Sequence, residues 1–265
     1  MPAATRPSFK RAPLTEVVCG IQFRPLPGFQ ATHYGLFWQS IREEFSTSRT
    51  VAPISNIPTI APVNEPQEIT VTLRQELPRV WFISEDDSRL VQLQPDRFLF
   101  NWRDRPGVEY PRYPTIIGRF KQLFAKYQDF LRDNELGDLS MIGTELSYIN
   151  TIKPGQGWQD LSQLGDIFPD FSWRRDNRFL RTAEAINFRS NHPMPNGHLH
   201  VVIQTARSKE PSEQHIRFDL TARGNASEIG SDGLWNWYDI ANTFIIGAFV
   251  DLTSESMQRS VWEKV

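Results

Sequence analysis

The chain has 265 residues, of which 39% are hydrophobic, enough for a packed core without metals or disulfides. Its net charge is −2, from 29 basic and 31 acidic side chains, which argues against a dominant nucleic-acid-binding surface. Cys19 is the single cysteine, which excludes an intrachain disulfide and indicates a reducing compartment. Residues 1–11 lack an apolar segment and no apolar run is long enough to span a bilayer, so we expect a cytoplasmic protein without a signal peptide.

The first predicted elements are a strand, a helix and a strap. Residues 16–23 form a β-branched run between two prolines and predict a strand that buries Cys19 as an inert thiol. The following helix has an apolar stripe with spacings of three and four, and Thr32 precedes the stripe as a capping residue. Residues 51–66 contain four prolines and an aliphatic side chain at every third position, which predicts a polyproline II strap. The strap either covers the protein's own surface or serves as an arm for a partner.

A β-meander and a long helix complete the first half. Strands are predicted over residues 68–74, 79–84, 89–94 and 97–103, joined by polar turns. In the last of these strands aromatic side chains share one face, whereas Asn101 and Arg103 share the other face with Leu99. Residues 114–133 carry an apolar stripe and predict a helix that ends before Gly137.

The same order of elements then begins again. Strands are predicted over residues 143–152, 179–190, 198–206 and 215–223, a short helix over 160–168, and a long helix over 234–252. A terminal turn with Met257 and Trp262 follows, capped by Thr253 or Ser254. We therefore predict an α+β fold of tandem duplicated β-α-β(3-4)-α units, with antiparallel sheets and the long helices packed on one face. The halves are residues 1–137, including the strap, and 138–265, joined in one compact unit.

Few polar side chains of the predicted strands suggest catalysis. Glu145 fits either a general base, if it is buried, or a salt bridge to a strand arginine. His198 and His200 have a spacing that many metal sites use, but they equally fit the surface of a hairpin, so we predict no metal and no cofactor. The sequence contains no Walker, Rossmann, nucleophile-elbow, zinc-ribbon or HExxH pattern. This excludes the enzyme classes that these motifs identify, but it does not exclude an enzyme of another class.

Two groups of arginines lie among aromatic residues. The first group is Arg97, Arg103, Arg105 and Arg112, and the second is Arg174, Arg175, Arg178 and Arg181. Such groups fit phosphate or single-stranded nucleic-acid binding, and equally structural cation–π pairs or protein interfaces. The near-neutral total charge favours a protein partner over nucleic acid or nucleotide.

Four segments are distinctive when taken together: residues 13–23 (PLTEVVCGIQF), 93–102 (LQPDRFLFNW), 110–113 (YPRY) and 145–150 (ELSYIN). With the closing pattern of Phe249, Leu252, Thr253 and Trp262, they resemble an uncharacterised, sporadically distributed family of bacterial proteins of about this length. The resemblance implies a bacterial cytoplasmic protein from mobile or defence-associated gene neighbourhoods, and it carries over no activity. The polar residues inside the segments are the candidate binding residues: Arg97, Asn101, Arg103, Arg112, Glu145 and Asn150.

These observations favour a non-catalytic binding or adaptor protein. It would hold a protein partner, or a second copy of itself, through a sheet face or the strap, without contact with a membrane. The alternative is a small-molecule or nucleotide sensor, or an enzyme, with a pocket between the sheet and the long helices. The first half contains the more distinctive sequence motifs, and these favour a site near residues 97–103.

Overall fold

A computed structural model describes residues 7–54, 77–172, 179–208, 213–230 and 233–265. The strands are β1 (Leu14–Phe23), β2 (Thr47–Val51), β3 (Arg79–Ile83), β4 (Arg89–Gln94), β5 (Arg97–Arg103), β6 (Met141–Ile152), β7 (Asn187–Met194), β8 (Gly197–Arg207) and β9 (Gln214–Asn225). The α-helices are α1 (Ala31–Ile41), α2 (Arg112–Asp133), α3 (Leu164–Ile167), α4 (Ala226–Ile229) and α5 (Leu234–Leu252). Short 3₁₀ turns at Leu161–Gln163 and Pro169–Phe171 flank α3, and a π-helical turn at Met257–Val261 follows α5.

The strands form one nine-stranded antiparallel sheet in the order β2-β3-β4-β5-β1-β6-β9-β8-β7. The predicted antiparallel α+β architecture is confirmed at this level. The predicted tight turn between β4 and β5 is also confirmed, because Gln94 pairs directly with Arg97. Pro95 and Asp96 occupy the two turn positions, where proline presets φ for a turn. Within the described residues, no helix combines the length and the apolar character needed to cross a membrane.

The chain divides into two compact units. Unit 1 consists of Met1–Val17, Leu146–Ala222 and Trp235–Val265, and unit 2 consists of Val18–Glu145 and Arg223–Leu234. Unit 2 contains most of the first predicted half of the chain. The duplication and the division after residue 137 stay predictions.

The core of unit 2 is a cluster of aromatic rings between the sheet and helices α1 and α2. Phe37 of α1 is fully buried, and its ring lies 6.1 Å from that of Phe82, 6.0 Å from that of Phe98 and 5.3 Å from that of Tyr127. Phe98 of β5 in turn stacks on Tyr127 of α2 at 5.1 Å. Strand alternation places the ring of Phe98 on the face of β5 that the helices cover, as the period of two in this strand predicts.

In unit 1, helix α5 packs against strands β6 and β9. Phe218 of β9 stacks on Phe249 of α5 at 5.8 Å, and the hydroxyl of Tyr148 in β6 donates to Asn242 Oδ1 at 2.8 Å. Trp262 closes the end of this core, with its ring 5.0 Å from that of Phe249. After α5, Ser254 Oγ accepts from the backbone N–H of Met257 at 3.2 Å, so one of the two predicted caps is present.

Several local predictions are wrong. Residues 179–186 are not a strand; β7 begins at Asn187 and continues through the predicted turn to Met194. The cap of α1 is Gln30 rather than Thr32, because the Gln30 N–H donates to His33 Nδ1 at 2.8 Å. Strand β2, at residues 47–51, was not predicted, and it overlaps the predicted strap only at Val51. The strand predicted over residues 68–74, and residues 55–66 of the strap, lie outside the described residues.

Candidate functional site

Two of the candidate binding residues, Arg97 and Glu145, line the same cavity in unit 2. The cavity has a volume of about 170 Å³. Its walls also include Gly20, Ile54, Leu99, Gly143 and Arg223. Strands β5, β1, β6 and β9, which are consecutive neighbours in the sheet, supply most of these positions.

The cavity lies on the face of the sheet opposite helices α1 and α2. Phe98 points to the helices, where it stacks on Tyr127, and the next residue, Leu99, lines the cavity. Consecutive side chains of a strand point to opposite faces, so Arg97 and Leu99 share the cavity face. The predicted separation of the aromatic and polar faces of β5 therefore sets the position of this site.

Glycines keep the cavity open. A Cβ atom placed on Gly20 of β1 would lie 3.1 Å from Leu99 Cδ2, and one placed on Gly143 of β6 would lie 3.3 Å from the backbone oxygen of Gly224. Both distances are shorter than an ordinary van der Waals contact. Because these two residues have no Cβ atom, Leu99 can approach β1 closely and the backbone of Gly224 can approach β6 closely. This close approach shapes the cavity.

Arg97 forms a buried, charge-compensated wall of the cavity. It is 8% exposed, and its Nη2 lies 3.3 Å from Oδ2 of Asp96. Gln94 Nε2 donates to Oδ1 of the same carboxylate at 2.8 Å. A buried charge needs both an opposite charge and hydrogen bonds, and the turn residue Asp96 supplies the opposite charge.

Glu145 and Arg223 form an ion pair in the cavity wall. Arg223 Nε donates to Glu145 Oε2 at 2.9 Å between the neighbouring strands β6 and β9. The alternative that predicted a salt bridge from Glu145 to a strand arginine is therefore confirmed. Both side chains are partly exposed, which leaves the pair within reach of a bound group.

A polar network continues from the cavity along β5, β4 and β3. Asn101 Oδ1 accepts from Gln92 Nε2 at 2.8 Å, and Gln92 Oε1 accepts from Arg79 Nη1 at 2.8 Å and from Trp81 Nε1 at 3.0 Å. Burial, and secondarily the positive charge of Arg97, lower the pKa of Arg79. Asn101 thus lies on the same face as Arg97 but acts within this network rather than in the cavity wall.

The other three candidate residues do not line the cavity. Arg103 and Arg105 both bind the carboxylate of Asp87, the latter through Nε at 2.8 Å. The guanidinium of Arg112, the first residue of α2, lies 5.6 Å from the ring centre of Tyr110. Asn150 belongs to unit 1, where its Nδ2 donates to the backbone oxygen of Phe218 at 3.0 Å.

Sequence reasoning missed several residues of the site. Arg223 was assigned to a strand without a role, although the alternative for Glu145 called for a strand arginine. Gly20 sits inside a predicted strand and Gly143 is the first residue of another, and an isolated glycine in a strand is a recognised signal of close backbone approach. That signal, combined with the distinctive segments, would have drawn attention to the strands that meet at the cavity.

The remaining sequence signals do not form a site in the described part of the chain. His200 Nδ1 lies 2.7 Å from Asn191 Oδ1 across the β7–β8 hairpin. Among the described residues, no group of three histidine, cysteine or acidic side chains is placed to hold a metal ion. Three arginines of the second group, at positions 174, 175 and 178, lie outside the described residues.

Comparisons with protein-family models, with curated proteins and with solved structures gave no match. Function therefore has to be inferred from the residues of the cavity and their chemistry.

Proposed function

We propose that the protein is a non-catalytic binding protein, an adaptor, that holds a protein partner at the cavity of unit 2. The observation that supports this most is the composition of the cavity wall. Arg97 and the Arg223–Glu145 pair surround a floor kept open by Gly20 and Gly143. Fixed charges around a recess recognise a complementary group and give a complex its specificity.

The size of the cavity favours a side chain of a partner over a free ligand. Sites for small molecules and cofactors usually measure about 300–1,000 Å³. The cavity of unit 2, at about 170 Å³, is below that range. One side chain inserted from a partner surface would fill it.

The surroundings of the cavity also support a protein interface. Arginine and tryptophan are enriched among the residues that dominate protein–protein binding. Arg79 lies 5.5 Å from the ring centre of Trp81 on the strand at the far end of the polar network. The partner is a second protein of a bacterial cytoplasm, in keeping with the family resemblance and a defence or mobile-element setting, or a second copy of this chain.

Capture of the partner tests the adaptor function. Full-length protein carrying Arg223→Gln would be compared with wild type and with Arg42→Gln, which changes an exposed arginine of the same unit. We expect wild type and Arg42→Gln to retain the same protein from a bacterial lysate, or to dimerise in light scattering, and Arg223→Gln to lose that property. Binding should then be reproduced with the purified partner. A monodisperse monomer that retains nothing, or retention independent of Arg223, contradicts the proposal.

A second candidate function, binding of a small molecule, is favoured by a separate cavity in unit 1. This cavity of about 400 Å³ lies between the β7–β8 hairpin and α5, and its lining includes Pro193, Leu199 and Phe244 together with His192 and Asp251. Its volume falls within the usual range for ligand sites, and it has an apolar wall with a few polar groups. Thermal unfolding in the presence of nucleotides and small metabolites tests it. At 100-fold excess over Kd, a ligand adds about 2.7 kcal/mol, and no shift with any compound contradicts this candidate.

A further inference from the structure

We infer that the cavity between the β7–β8 hairpin and α5, here called the hairpin cavity, binds an organic amine, with the ammonium group beside Asp251 and the apolar body against Phe244. The inference rests on the second candidate function, because it names the class of small molecule that this cavity would hold. Three features of α5 support it: an internal glycine, a carboxylate without a partner and an exposed aromatic ring. The three residues all line the cavity, and all belong to unit 1.

These three residues lie on one face of helix α5. Phe244, Gly247 and Asp251 are three and four residues apart, a spacing that places side chains one above another on an α-helix. Pro193 and Leu199 of the hairpin supply an apolar wall of the same cavity. With a rise of about 1.5 Å per residue, Phe244 and Asp251 lie about 10 Å apart along the helix axis. A ligand that reaches both therefore needs a charged head and an apolar body of about that combined length.

The glycine in the middle of α5 keeps the hairpin cavity open. An internal helical glycine lowers stability relative to alanine, because it loses more conformational freedom on folding. Close packing does not require it, since a Cβ atom placed on Gly247 would have no neighbouring heavy atom within 4 Å beyond its own stretch of helix. The free space belongs to the cavity, because Gly247 is part of its lining. A larger side chain here would occupy the ligand's volume without displacing a neighbour.

The lining of the hairpin cavity carries one net negative charge at neutral pH. Its titratable residues are Asp251 and His192, and it includes no lysine or arginine. Among the described residues, none forms an ion pair or a side-chain hydrogen bond with the Asp251 carboxylate. Asp251 also lies in the last turn of α5, where the helix dipole favours cations and disfavours carboxylates. A positively charged ligand complements both the carboxylate and the dipole.

Phe244 provides a surface for the apolar body of the amine. Its side chain is 37% exposed, and within the described part of the chain its ring contacts no other aromatic ring. An apolar ligand that covers this ring and the hairpin wall removes apolar area from water. An aromatic ligand gains in addition from contact between the rings.

An anionic metabolite fits the hairpin cavity less well than an amine. A phosphate or carboxylate group would face the Asp251 carboxylate and the negative end of α5, and the lining offers it no guanidinium or ammonium group. A neutral alcohol avoids this repulsion but forms only neutral hydrogen bonds, which are roughly half as strong as charge-assisted ones. The charge of the lining therefore selects the amine.

The test uses full-length protein and three probes that share one apolar body: 4-phenylbutylamine, 4-phenylbutanol and 4-phenylbutanoate. At about pH 8 the first is a cation, the second is neutral and the third is an anion, while imidazole groups are uncharged. Isothermal titration calorimetry measures the Kd of each probe. We expect one amine molecule to bind per chain, the alcohol to bind about fivefold more weakly, and the carboxylate more weakly than the alcohol.

Two variants locate the binding at the hairpin cavity. Gly247→Leu fills the open space and should weaken binding of the amine about tenfold or more. Leucine is a better helix former than glycine, so this loss does not arise from a damaged helix, and thermal unfolding verifies the fold. Asp251→Asn removes the charge at nearly constant shape, and the amine and the alcohol should then bind about equally. The matched control is Asp239→Asn, an exposed acid of α5 outside the cavity lining, which should keep the preference for the amine.

The outcomes separate the amine site from the second candidate function. No binding of the amine, equal binding of the amine and the alcohol, or amine binding that Gly247→Leu leaves unchanged overturns the amine site. A nucleotide or another metabolite that stabilises wild type but not Gly247→Leu would leave the small-molecule function standing and the amine class wrong. Absence of binding by every compound contradicts both.

Discussion

Gln94 holds the backbone of Ile54 with both ends of its side-chain amide. The backbone N–H of Ile54 donates to Gln94 Oε1 at 2.9 Å, and Gln94 Nε2 donates to the Ile54 carbonyl at 3.1 Å. Ile54 lies outside the strands, and the side-chain amide of Gln94 forms the two hydrogen bonds to its backbone that a neighbouring strand would otherwise form. Because Ile54 lines the cavity, the side chain of Gln94 fixes one of its walls.

Gln94→Glu should release Ile54 and destabilise unit 2. The substitution removes the donor to the Ile54 carbonyl and places a second carboxylate beside Asp96, to which Gln94 now donates at 2.8 Å. We expect the free energy of unfolding to fall by about 2–3 kcal/mol at pH 7. Urea unfolding measures this loss, and hydrogen exchange at the Ile54 amide should become faster. The control is Gln128→Glu on the exposed side of α2, which should change stability by less than about 0.5 kcal/mol.

Two tyrosine hydroxyls should have opposite effects on stability. The buried hydroxyl of Tyr127 has no hydrogen-bond partner among the described residues, so Tyr127→Phe removes an unsatisfied group. We expect this variant to be more stable by about 1 kcal/mol. Tyr148→Phe instead deprives Asn242 Oδ1 of its 2.8 Å donor and should lose about 1–2 kcal/mol. Thermal unfolding of the two variants gives the comparison, and equal effects would contradict this account of the buried hydroxyls.

The turn at residues 84–88 should make stability depend on pH in the acid range. Hydrogen bonds from Ser84 Oγ, at 2.6 Å, and from Ser88 hold the pKa of Asp86 down to about 2. A depressed folded-state pKa contributes stability above the unfolded value near 3.8, and that contribution is lost as the pH falls towards 2. Since Asp86 is exposed, we expect a contribution of only about 1 kcal/mol.

Asp86→Asn tests this contribution by urea unfolding at several pH values. The variant should be less stable than wild type at pH 7, and the difference should shrink between about pH 4 and pH 2. Glu85→Gln, which changes the adjacent exposed acid of the same turn, is the matched control and should show no such pH dependence. A difference in stability between Asp86→Asn and wild type that is the same at all pH values would contradict the assignment of this pH dependence to Asp86.

Phe37 should be one of the most sensitive positions of unit 2. Its fully buried ring contacts four other rings, those of Phe82, Phe98, Tyr127 and Phe130. Phe37→Ala should lower the free energy of unfolding by about 3–5 kcal/mol. Leu36→Ala, at the preceding and 46% exposed position of the same helix, should lose less than about 1 kcal/mol. Chemical denaturation of both variants measures the difference.

The secondary structure was most predictable where aromatic side chains alternate with other side chains along a strand. In β5 the aromatic and polar faces are visible in the residues themselves, and the strand has the predicted bounds. Strand β2 gives no such signal, because most of its side chains are exposed and only its pairing with β3 makes it a strand. At the predicted start of β7, Phe179 and Leu180 are apolar but 99% and 67% exposed, so their apolar character did not indicate a buried strand.

The candidate site was predictable only in part, for a reason of geometry. Alternation assigns Arg97 to the face of β5 opposite the aromatic rings, but it does not determine which strand lies beside β5 or in which register. The sheet order β5-β1-β6-β9 brings Arg97, Glu145 and Arg223 to one cavity, although they are far apart in sequence. Asn150 lies on the same strand as Glu145 but away from the cavity, and only the pairing of β6 with its neighbours determines which of its residues reach the cavity.

The position of Cys19 gives the molecule an internal reporter. The thiol lies in β1, which is the central strand of the sheet order, with none of its surface exposed, and burial raises its pKa far above the ordinary value. It is the single thiol of the chain, so any reaction with a thiol reagent has to come from this one atom. The rate of labelling therefore measures how often the centre of the sheet opens, and a partner that closes over unit 2 would slow it without touching the sulfur.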